Sequence, residues 1–392
     1  KPIFLLLRRL KAMKLIGDDK IILSSFIVAF CAFTAIYITQ PILPLIERDF
    51  NASSFQSSLT ISLVLAGITL GCIPSGILSE RFPIKFLALP AAILLIICLI
   101  ACAYSSDLNT LVSLRFCQGF LIPFLTSAVA ASLSKSVSNK NVVRGIAWYV
   151  TATILGGMSG RLLGGFSSSL YHWEVSFLLS ALLILLSCLV ISQLSPTIAD
   201  LHPEKKGVVS YQMVALNKDL WPSFCCAFLG QGIFSAIFNT IPFRLESGPL
   251  NLSSQFISLI YCVYIIGIFV GPLTGRLAEK IGSIKTLYGG GIILALSISI
   301  LTGDGIAHVI IGLSGICFGF FMVHTNATAR LNRLSKIGLG RANSLYMIFY
   351  YLGASGGSVW AIIIYQAKDW NSLIFISLIL TLFLIITGRE KS

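Results

Sequence analysis

Twelve long apolar segments follow one another along this 392-residue chain, and they restrict its fold more than any other feature. Each is long enough to cross the roughly 30 Å hydrocarbon core of a bilayer as a helix. Because a backbone in lipid must satisfy its own hydrogen bonds, and because the segments do not alternate as barrel strands would, all are predicted to be helical. These predicted spans, TM1 to TM12, cover residues 21–46, 56–79, 85–104, 107–134, 143–168, 174–193, 220–245, 255–278, 283–302, 305–329, 340–365 and 372–388.

The composition supports an all-α polytopic membrane protein and excludes several other classes. Hydrophobic residues make up 56% of the chain and charged residues only 11%, whereas a soluble domain carries about 25% charged residues. A soluble enzyme, a disordered chain and a secreted disulfide scaffold are therefore excluded. The ten cysteines all fall within predicted spans, so we expect neither a disulfide nor a metal site. The sequence also lacks a phosphate-binding glycine loop and a catalytic constellation, so we expect no cofactor and no enzymatic activity.

The net charge of +13 is distributed unevenly between the two sides of the predicted membrane. With a cytoplasmic N-terminus, 23 of the 28 Lys and Arg residues lie inside and three lie outside, namely Arg48, Arg244 and Lys368. This positive-inside pattern predicts that both termini are cytoplasmic. It also indicates that the basic residues set the orientation of the spans and contact anionic lipid headgroups, rather than bind a nucleic acid.

Two halves of six spans are related by an internal repeat. Asn51-Ala52-Ser53-Ser54 recurs as Asn251-Leu252-Ser253-Ser254, and Gly156-Gly157 recurs as Gly356-Gly357. Two halves related in this way form the parallel repeats of many secondary transporters. The predicted organisation is a basic amphipathic segment, a first lobe, a cytoplasmic linker and a second lobe, covering residues 1–20, 21–193, 194–219 and 220–392.

Three motifs resemble those of the major facilitator superfamily. Residues 76–85, Gly-Ile-Leu-Ser-Glu-Arg-Phe-Pro-Ile-Lys, resemble its cytoplasmic gate motif, and residues 114–119, Leu-Arg-Phe-Cys-Gln-Gly, resemble its TM4 motif. Residues 156–165 resemble the TM5 glycine motif of the proton-coupled efflux branch, except that Arg161 occupies the usual proline position. The resemblance implies a bacterial inner-membrane transporter with a central cavity lined by TM1, TM4, TM7 and TM10.

The gate motif suggests charged pairs at the cytoplasmic side. Carboxylates at the ends of TM2 and TM8 are expected to pair with arginines of the inner face in one state and to separate in the other. The alternative is that these charges only set the topology. The candidate gating residues are Glu80, Arg81, Lys85, Arg144, Glu279, Lys280 and Arg341.

Arg115 in TM4 and Arg161 in TM5 are predicted to lie inside the membrane. A charge within a span costs about 2.5–3.5 kcal/mol even on the lenient insertion scale, so each is a functional-site candidate. A rise of 1.5 Å per residue places both about 10–12 Å below the outer surface, where no Asp or Glu is predicted. Since guanidinium groups bind carboxylates and phosphates through paired hydrogen bonds, we expect an anionic solute. The alternatives are a proton-relay or structural role for Arg115 and backbone hydrogen bonding for Arg161.

Other polar side chains are placed near the same depth and complete the predicted substrate site. The alternative for them is hydrogen bonding between helices. They are Tyr37 and Gln40 in TM1, Gln118 in TM4, Gln231 and Asn239 on one face of TM7, and Tyr261 and Tyr264 in TM8.

His324 in TM10 is a candidate for proton coupling, together with Arg115, because histidine titrates near neutral pH. A histidine that is simply packed is the alternative. Glycines at four-residue spacing allow helices to approach closely. We therefore expect a glycine contact between the lobes, formed by Gly156, Gly160, Gly164, Gly165 and Gly357.

The sequence thus predicts a monomeric secondary transporter that moves a small organic solute, anionic or amphiphilic, by alternating access. The TM5 motif favours export, with protons as a candidate coupling ion. Import or exchange of an organic anion, such as a carboxylate or a siderophore, is the alternative within the same class. A membrane receptor or scaffold that does not transport is the alternative from another class.

Overall fold

A computed structural model describes residues 17–82, 84–193, 211–247, 249–335 and 339–388. Across these ranges the chain is helical and contains no strand. TM1 comprises Gly17–Tyr37, a 3-10 turn at Gln40–Ile42 and Leu43–Asp49, and TM8 comprises Ser254–Ile260, a 3-10 stretch at Tyr261–Ile265 and Ile266–Ile281. The remaining spans are single helices: TM2 Ser54–Arg81, TM3 Ile84–Ala103, TM4 Leu108–Ser136, TM5 Asn139–Leu170, TM6 Glu174–Ser192, TM7 Trp221–Ser247, TM9 Ser283–Ile300, TM10 Ile306–Leu334, TM11 Leu339–Ala367 and TM12 Trp370–Thr387.

Eleven of these spans are both long and apolar enough to cross a membrane, within the described ranges. TM5 is the exception, although its 32-residue helix is the longest of the spans built from a single helix. Its glycines and serines, together with Arg144 and Arg161, lower its mean hydropathy. The least apolar span is therefore one of those that carry a buried arginine, here Arg161.

The predicted N-terminal segment and linker are only partly covered by the structure. Residues 1–16 and 194–210 lie outside the described ranges. Residues 17–20 form the start of TM1 rather than a separate surface helix. Within the linker, Tyr211–Leu216 forms a short helix and Lys218–Leu220 a 3-10 turn that leads into TM7.

The repeat is visible in the backbone. Among the described residues, Asn51 and Asn251 are the two non-glycine positions with positive φ, at 47° and 43°. Asparagine tolerates this left-handed conformation better than most residues. Each is followed by a serine N-cap, Ser53 or Ser253, from which TM2 or TM8 begins. The same turn therefore starts the second span of each half.

The glycines pack differently from the sequence expectation. An ideal Cβ on Gly156, Gly160 or Gly164 would lie within 2.4 Å, 2.2 Å or 2.0 Å of a carbonyl oxygen of TM1, within the same half. Gly353 and Gly357 approach TM7 in the same way, each at 2.2 Å from a carbonyl oxygen. These four-residue ladders hold TM5 against TM1 and TM11 against TM7, so they do not form the contact between lobes.

Gly165 is the member of the predicted glycine set that does lie between the halves. Its ideal Cβ would meet the Ser258 side chain of TM8 at 2.3 Å. The four-residue glycine ladders also correct the alignment of TM5 with TM11 in the internal repeat. Gly156 corresponds to Gly353 and Gly160 to Gly357, a separation of 197 residues rather than 200.

The two halves carry separate apolar cores and meet along several pairs of spans. One core is built mainly from TM1 to TM6 and the other from TM7 to TM12. We call the membrane face that carries Gly17 the proximal face, and the face that carries Asn51 and Asn251 the distal face. The described hydrogen bonds and ion pair between the halves lie in the distal part and the middle of the spans: Arg48–Glu246, Gln40–Asn239, Arg161–Tyr264, Ser169–Gln255 and Ser355–Ser62.

Candidate functional site

Arg115 is fully buried, and every N–H of its guanidinium has an acceptor. An arginine side chain has five N–H donors. Its Nε donates to the Thr60 carbonyl at 2.9 Å, and Nη1 donates to the Ala35 carbonyl and to Gln118 at 3.0 and 2.7 Å. Nη2 donates to the Ile36 carbonyl at 2.5 Å and to the Thr39 hydroxyl at 3.4 Å. No donor is left for a solute.

The break in TM1 explains why Arg115 has so many carbonyl partners. The first helix of TM1 ends at Tyr37, and Pro41 and Pro44 follow in the next turns. The last carbonyls of a helix lack internal partners, and a proline has no N–H to offer. Gln118 assists Arg115 by donating to the Ala35 carbonyl at 2.8 Å. The Arg115 guanidinium therefore caps a broken helix in the apolar core.

Arg161 is equally buried but has fewer acceptors. Its Nη1 donates to the Gly157 carbonyl at 2.6 Å and its Nη2 to the Tyr264 hydroxyl at 2.7 Å, while Nε donates to Gln40. Three of its five N–H groups are thus used, and the Tyr37 side chain is a fourth hydrogen-bond partner, so at least one N–H has no acceptor among the described residues. No described carboxylate forms a salt bridge with Arg161.

Aromatic rings from both halves surround the Arg161 guanidinium. Its central carbon lies 4.0 Å from the ring centroids of Tyr37 and Tyr264 and 5.2 Å from that of Tyr261. A cation over an aromatic face gains about 0.5–2 kcal/mol, more where water is excluded. These contacts partly stabilise a buried charge that no described acid compensates.

A chain of hydrogen bonds runs from Arg161 across the junction of the halves. Arg161 donates to Gln40, Gln40 donates to Asn239, and Asn239 donates to Ser358. Ser358 in turn donates to the Ala354 carbonyl at 2.8 Å. All four side chains are buried, so the chain links TM5, TM1, TM7 and TM11 out of contact with water.

The chain follows the internal repeat, with one difference. Ser358 lies 197 residues after Arg161, the separation given by the glycine ladders, and each donates to a carbonyl one turn earlier in its own helix. Gln40 and Asn239 occupy the corresponding central places on TM1 and TM7. The two sides therefore match in geometry, but the first half carries a cation where the second carries a hydroxyl.

A cluster of aromatic rings extends from Tyr264 into the second half. Phe234 lies 5.3 Å from Tyr264 and 4.4 Å from Phe320, measured between ring centroids. Phe320 in turn lies 5.8 Å from His324. We define the aromatic cluster as Phe234, Phe238, Tyr261, Tyr264, Phe320, His324, Tyr346 and Tyr350.

His324 lies at the far end of this cluster. Its Nδ1 forms a hydrogen bond of 2.9 Å with the Tyr346 hydroxyl, and its ring centroid lies 5.1 Å from that of Tyr350. No described residue bonds to its Nε2. His324 and Tyr350 are half-buried residues, whereas Phe320 and Tyr346 are buried.

Sequence comparison decides the family. A sequence model described as Major Facilitator Superfamily matches residues 25–334, well over half of the chain. The chain belongs to the Major Facilitator Superfamily. It is therefore an integral, multi-pass membrane transporter and not an enzyme.

Several bacterial relatives of this superfamily protein extend over most of the chain. An uncharacterized transporter of Buchnera aphidicola subsp. Schizaphis graminum is 27% identical, over 87% of this chain and 85% of its own. The MFS-type transporter YybF of Bacillus subtilis is 28% identical, over 87% of each chain. The inner membrane transport protein YnfM of Escherichia coli is 24% identical, over 94% of this chain and 90% of its own.

A solved structure shows the same superfamily fold. It is a bacterial homolog of the human lysosomal transporter Spinster in an inward-facing and occupied conformation, with a TM-score of 0.77. The two chains are 14% identical, and the match covers 95% of each. At this identity the similarity extends to the fold alone.

The structure joins part of the predicted substrate site and separates the rest. Arg161, Gln40, Asn239, Tyr37 and Tyr264 lie together, with Tyr261 at the edge, where its hydroxyl donates to the Phe238 carbonyl at 2.7 Å. Arg115 and Gln118 form the separate capping network. Gln231 bonds to Ser235 at 3.2 Å, one turn along TM7, and its side-chain oxygen has no partner.

The predicted gate is only partly visible. The side chains of Glu80 and Arg81 lie outside the described residues. Arg144 pairs with Asp19 of TM1, within the same half, and Lys85 donates to the Ser192 carbonyl at 2.9 Å.

The gate residues of the second half lie at the proximal face. Glu279 and Lys280 are exposed there, and the Arg341 guanidinium lies 5.4 Å from the Tyr211 ring centroid. No carboxylate–arginine pair between the two halves is described at this face. A gating role for these residues stays a prediction.

Sequence reasoning named Tyr261, Tyr264 and His324 but missed the other rings of the aromatic cluster, and it missed Ser358. The signal was present in Phe318-Gly-Phe-Phe321 of TM10 and Phe349-Tyr-Tyr351 of TM11, which place several rings within one or two turns. Ser358 follows Gly356-Gly357 directly, and the alignment at 200 residues hid its correspondence to Arg161.

Proposed function

We propose that this transporter moves a small organic anion and that Arg161 binds its negative group. The observation that carries the proposal is a buried guanidinium with at least one unused N–H group and no described carboxylate partner. A buried charge in a membrane is costly unless it is compensated. A carboxylate or phosphate on a solute would accept from the free N–H and compensate the charge.

Alternating access follows from the position of Arg161 at the junction of the halves. The chain from Arg161 through Gln40 to Asn239 and Ser358 holds the two halves together in the distal part of the membrane. An anion that also accepts from Nε of Arg161 would compete with Gln40 for that donor. Binding of the solute would thus weaken a contact that must open for the distal side to become accessible.

The described contacts favour a conformation that is closed at the distal face. The Arg48–Glu246 ion pair and the Ser169–Gln255 hydrogen bond join the halves at that end. If the proximal face is cytoplasmic, as the charge distribution predicts, this is an inward-facing state. The fold match to an inward-facing transporter supports the same proposal.

A thermal-shift experiment tests the anion proposal. The purified full chain in detergent is heated with benzoate, citrate or tetraphenylphosphonium at equal ionic strength. We expect one or both anions to raise the Tm and the cation not to, because ligands that bind only the folded state stabilise it. The anion-dependent shift should be lost in Arg161→Gln.

Arg48→Gln is the matched control, since it removes one positive charge at the exposed distal face. It should retain the anion-dependent shift of the natural chain. A shift with tetraphenylphosphonium alone, or an anion shift that persists in Arg161→Gln, would rule out the proposal.

We also propose export, by the resemblance of the TM5 motif to the efflux branch, and proton coupling through His324. Everted and right-side-out vesicles that contain the protein separate the directions: export predicts energised accumulation of labelled benzoate in the everted vesicles. A protonophore should abolish that accumulation. Accumulation that is unaffected by the protonophore would contradict proton coupling.

A further inference from the structure

The substrate class can be narrowed from what lies beside Arg161. The site divides into a cationic pole, supplied by Arg161 of the first half, and an aromatic pole, supplied by the aromatic cluster of the second half. Ring contacts connect the two poles without interruption, from Tyr264 through Phe234 and Phe320 to His324. A ligand anchored at Arg161 and directed along TM10 and TM11 would therefore lie against ring faces and edges.

The end of the aromatic cluster farthest from Arg161 also carries a polar group, the imidazole of His324. Tyr346 engages Nδ1 of His324 at 2.9 Å. When the Tyr346 hydroxyl donates to Nδ1, the proton of the neutral imidazole resides on Nε2, which then acts as a donor. Nε2 has no described partner, and His324 as a residue is half-buried. Both poles thus present N–H donors, and the described residues provide no carboxylate at either pole.

We propose that the solute is an aromatic acid with a second hydrogen-bond acceptor at the end opposite its acidic group, and that His324 Nε2 binds this acceptor while Tyr350 holds the ring. The acid lies on Arg161, so this inference rests on the proposed function. His324 acts here as a specificity-determining residue, a role distinct from proton coupling.

Binding to the purified full chain tests the ring requirement first. Benzoate and cyclohexanecarboxylate carry the same charge and nearly the same size, but only benzoate has a π face. Aromatic pairs contribute about 0.5–1.5 kcal/mol beyond the area they bury, which corresponds to about two- to tenfold in Kd. We expect benzoate to bind more tightly by such a factor; equal Kd values would overturn the aromatic pole.

The second acceptor is tested by adding a carbonyl to the ring. Two probes, 4-acetylbenzoate and 4'-acetylbiphenyl-4-carboxylate, place it at two distances from the acid, and each is compared with its parent acid without the acetyl group. We expect at least one to bind about threefold or more tightly than its parent, as expected for one hydrogen bond. The gain should disappear in His324→Phe, which keeps a ring but has no N–H.

Two further variants separate recognition from packing. His324→Gln retains a side-chain N–H and should recover part of the gain. Tyr346→Phe tests whether loss of the Nδ1 partner alone changes the affinity for the parent acid. The Kd of the parent acid should stay within about twofold of the value for the natural chain. An acetyl gain that survives in His324→Phe, or no gain for either probe in the natural chain, would overturn the role of His324. If no acid binds at all, the anion site is wrong and the inference falls with it.

Discussion

Arg115 and Arg161 are both fully buried arginines within the membrane, yet their surroundings give them different roles. Arg115 has five acceptors, three of which are backbone carbonyls of TM1 and TM2, and all of which lie in one half. Arg161 has four hydrogen-bond partners drawn from both halves, Tyr37 among them, and stacks against tyrosines of both. A saturated guanidinium holds a fold together, whereas an unsaturated one at a moving junction can bind a ligand.

The comparison is sharpened by the repeat. TM11 carries Ser358 where TM5 carries Arg161, and both donate to a carbonyl one turn earlier. The scaffold is therefore nearly symmetric while the site is not. Alternating access needs only the symmetric scaffold, whereas the proposed recognition of a solute at Arg161 would use the difference between the halves.

Replacement of Arg115 should have the largest effect on stability. Arg115→Ala removes the donor that serves the Ile36 carbonyl and the donor that serves the Gln118 side-chain oxygen, both in an apolar core. Each unsatisfied group costs about 1–3 kcal/mol, so we expect the yield of folded, monodisperse protein in size-exclusion chromatography to collapse. A variant that elutes normally, with a Tm close to that of the natural chain, would contradict the claim that Arg115 stabilises the fold.

A bulky side chain in the TM5 ladder should have the next largest effect. In Gly160→Val the new Cβ would lie 2.2 Å from the Thr34 carbonyl, so TM5 must separate from TM1. Overpacking typically costs about 1–3 kcal/mol and should appear as a lower Tm. Gly356→Ala is the control, because no atom lies within 4 Å of its ideal Cβ; equal Tm values for the two variants would contradict the packing.

A milder change at Gly157 should separate ligand binding from folding. In Gly157→Ala the new Cβ would lie 3.2 Å from Arg161 Nη1 and 3.4 Å from the Tyr37 ring. These are side-chain atoms that can shift, so we expect a Tm within a few degrees of the natural chain and a weaker anion-dependent shift. A thermal scan with and without benzoate gives both values, and an unchanged anion shift would contradict the placement of the ligand beside Gly157.

The hydrogen-bond chain between the halves should contribute a smaller free energy. Asn239→Leu removes the links to Gln40 and Ser358, and such bonds in membranes average about 0.6 kcal/mol. We expect a small loss of Tm and faster amide hydrogen exchange in the distal loop at residues 249–253, measured by mass spectrometry. Unchanged exchange there would show that the chain does not hold the distal side closed.

The smallest effect belongs to the ion pair at the distal face. Arg48 and Glu246 are 2.8 Å apart, but the Arg48 side chain is 58% exposed. Such pairs contribute about 0.2–1 kcal/mol and are screened by salt. Arg48→Gln should lower the Tm slightly in dilute buffer and not at high ionic strength. A large decrease in Tm under both conditions would contradict this small contribution of the ion pair.

Sequence alone predicted the architecture well, because apolar length, charge asymmetry and repeated turns are encoded locally. All twelve predicted spans are helices with bounds shifted by only a few residues, and the membership in the superfamily suggested by the motifs is confirmed. The turns at Asn51 and Asn251 are an example of such local encoding. The sequence repeats an asparagine before a serine N-cap, and in the structure both asparagines have a positive φ.

The difference between the hydrogen-bond partners of Arg115 and Arg161 could not be predicted, because it depends on which residues are neighbours in three dimensions. Depth counting placed Arg115 and Arg161 in one layer, but only the packing shows which carbonyls TM1 exposes at its break. Pro41 and Pro44 were the available sign that such carbonyls would exist. The glycine ladders were assigned to the wrong contact for the same reason, since spacing shows that a helix approaches closely but not which helix it meets.

Calorimetric titration of benzoate tests the role of Arg161 most directly. The natural chain, Arg161→Lys and Arg161→Gln are compared at low ionic strength, with Arg48→Gln as the charge control. Because each charge-assisted hydrogen bond contributes about 1.5–3 kcal/mol, we expect Arg161→Gln to weaken binding by at least about tenfold. Arg161→Lys, which keeps the charge but not the paired donors, should weaken it less. Equal affinity of Arg161→Gln and the natural chain would contradict an anion site at Arg161.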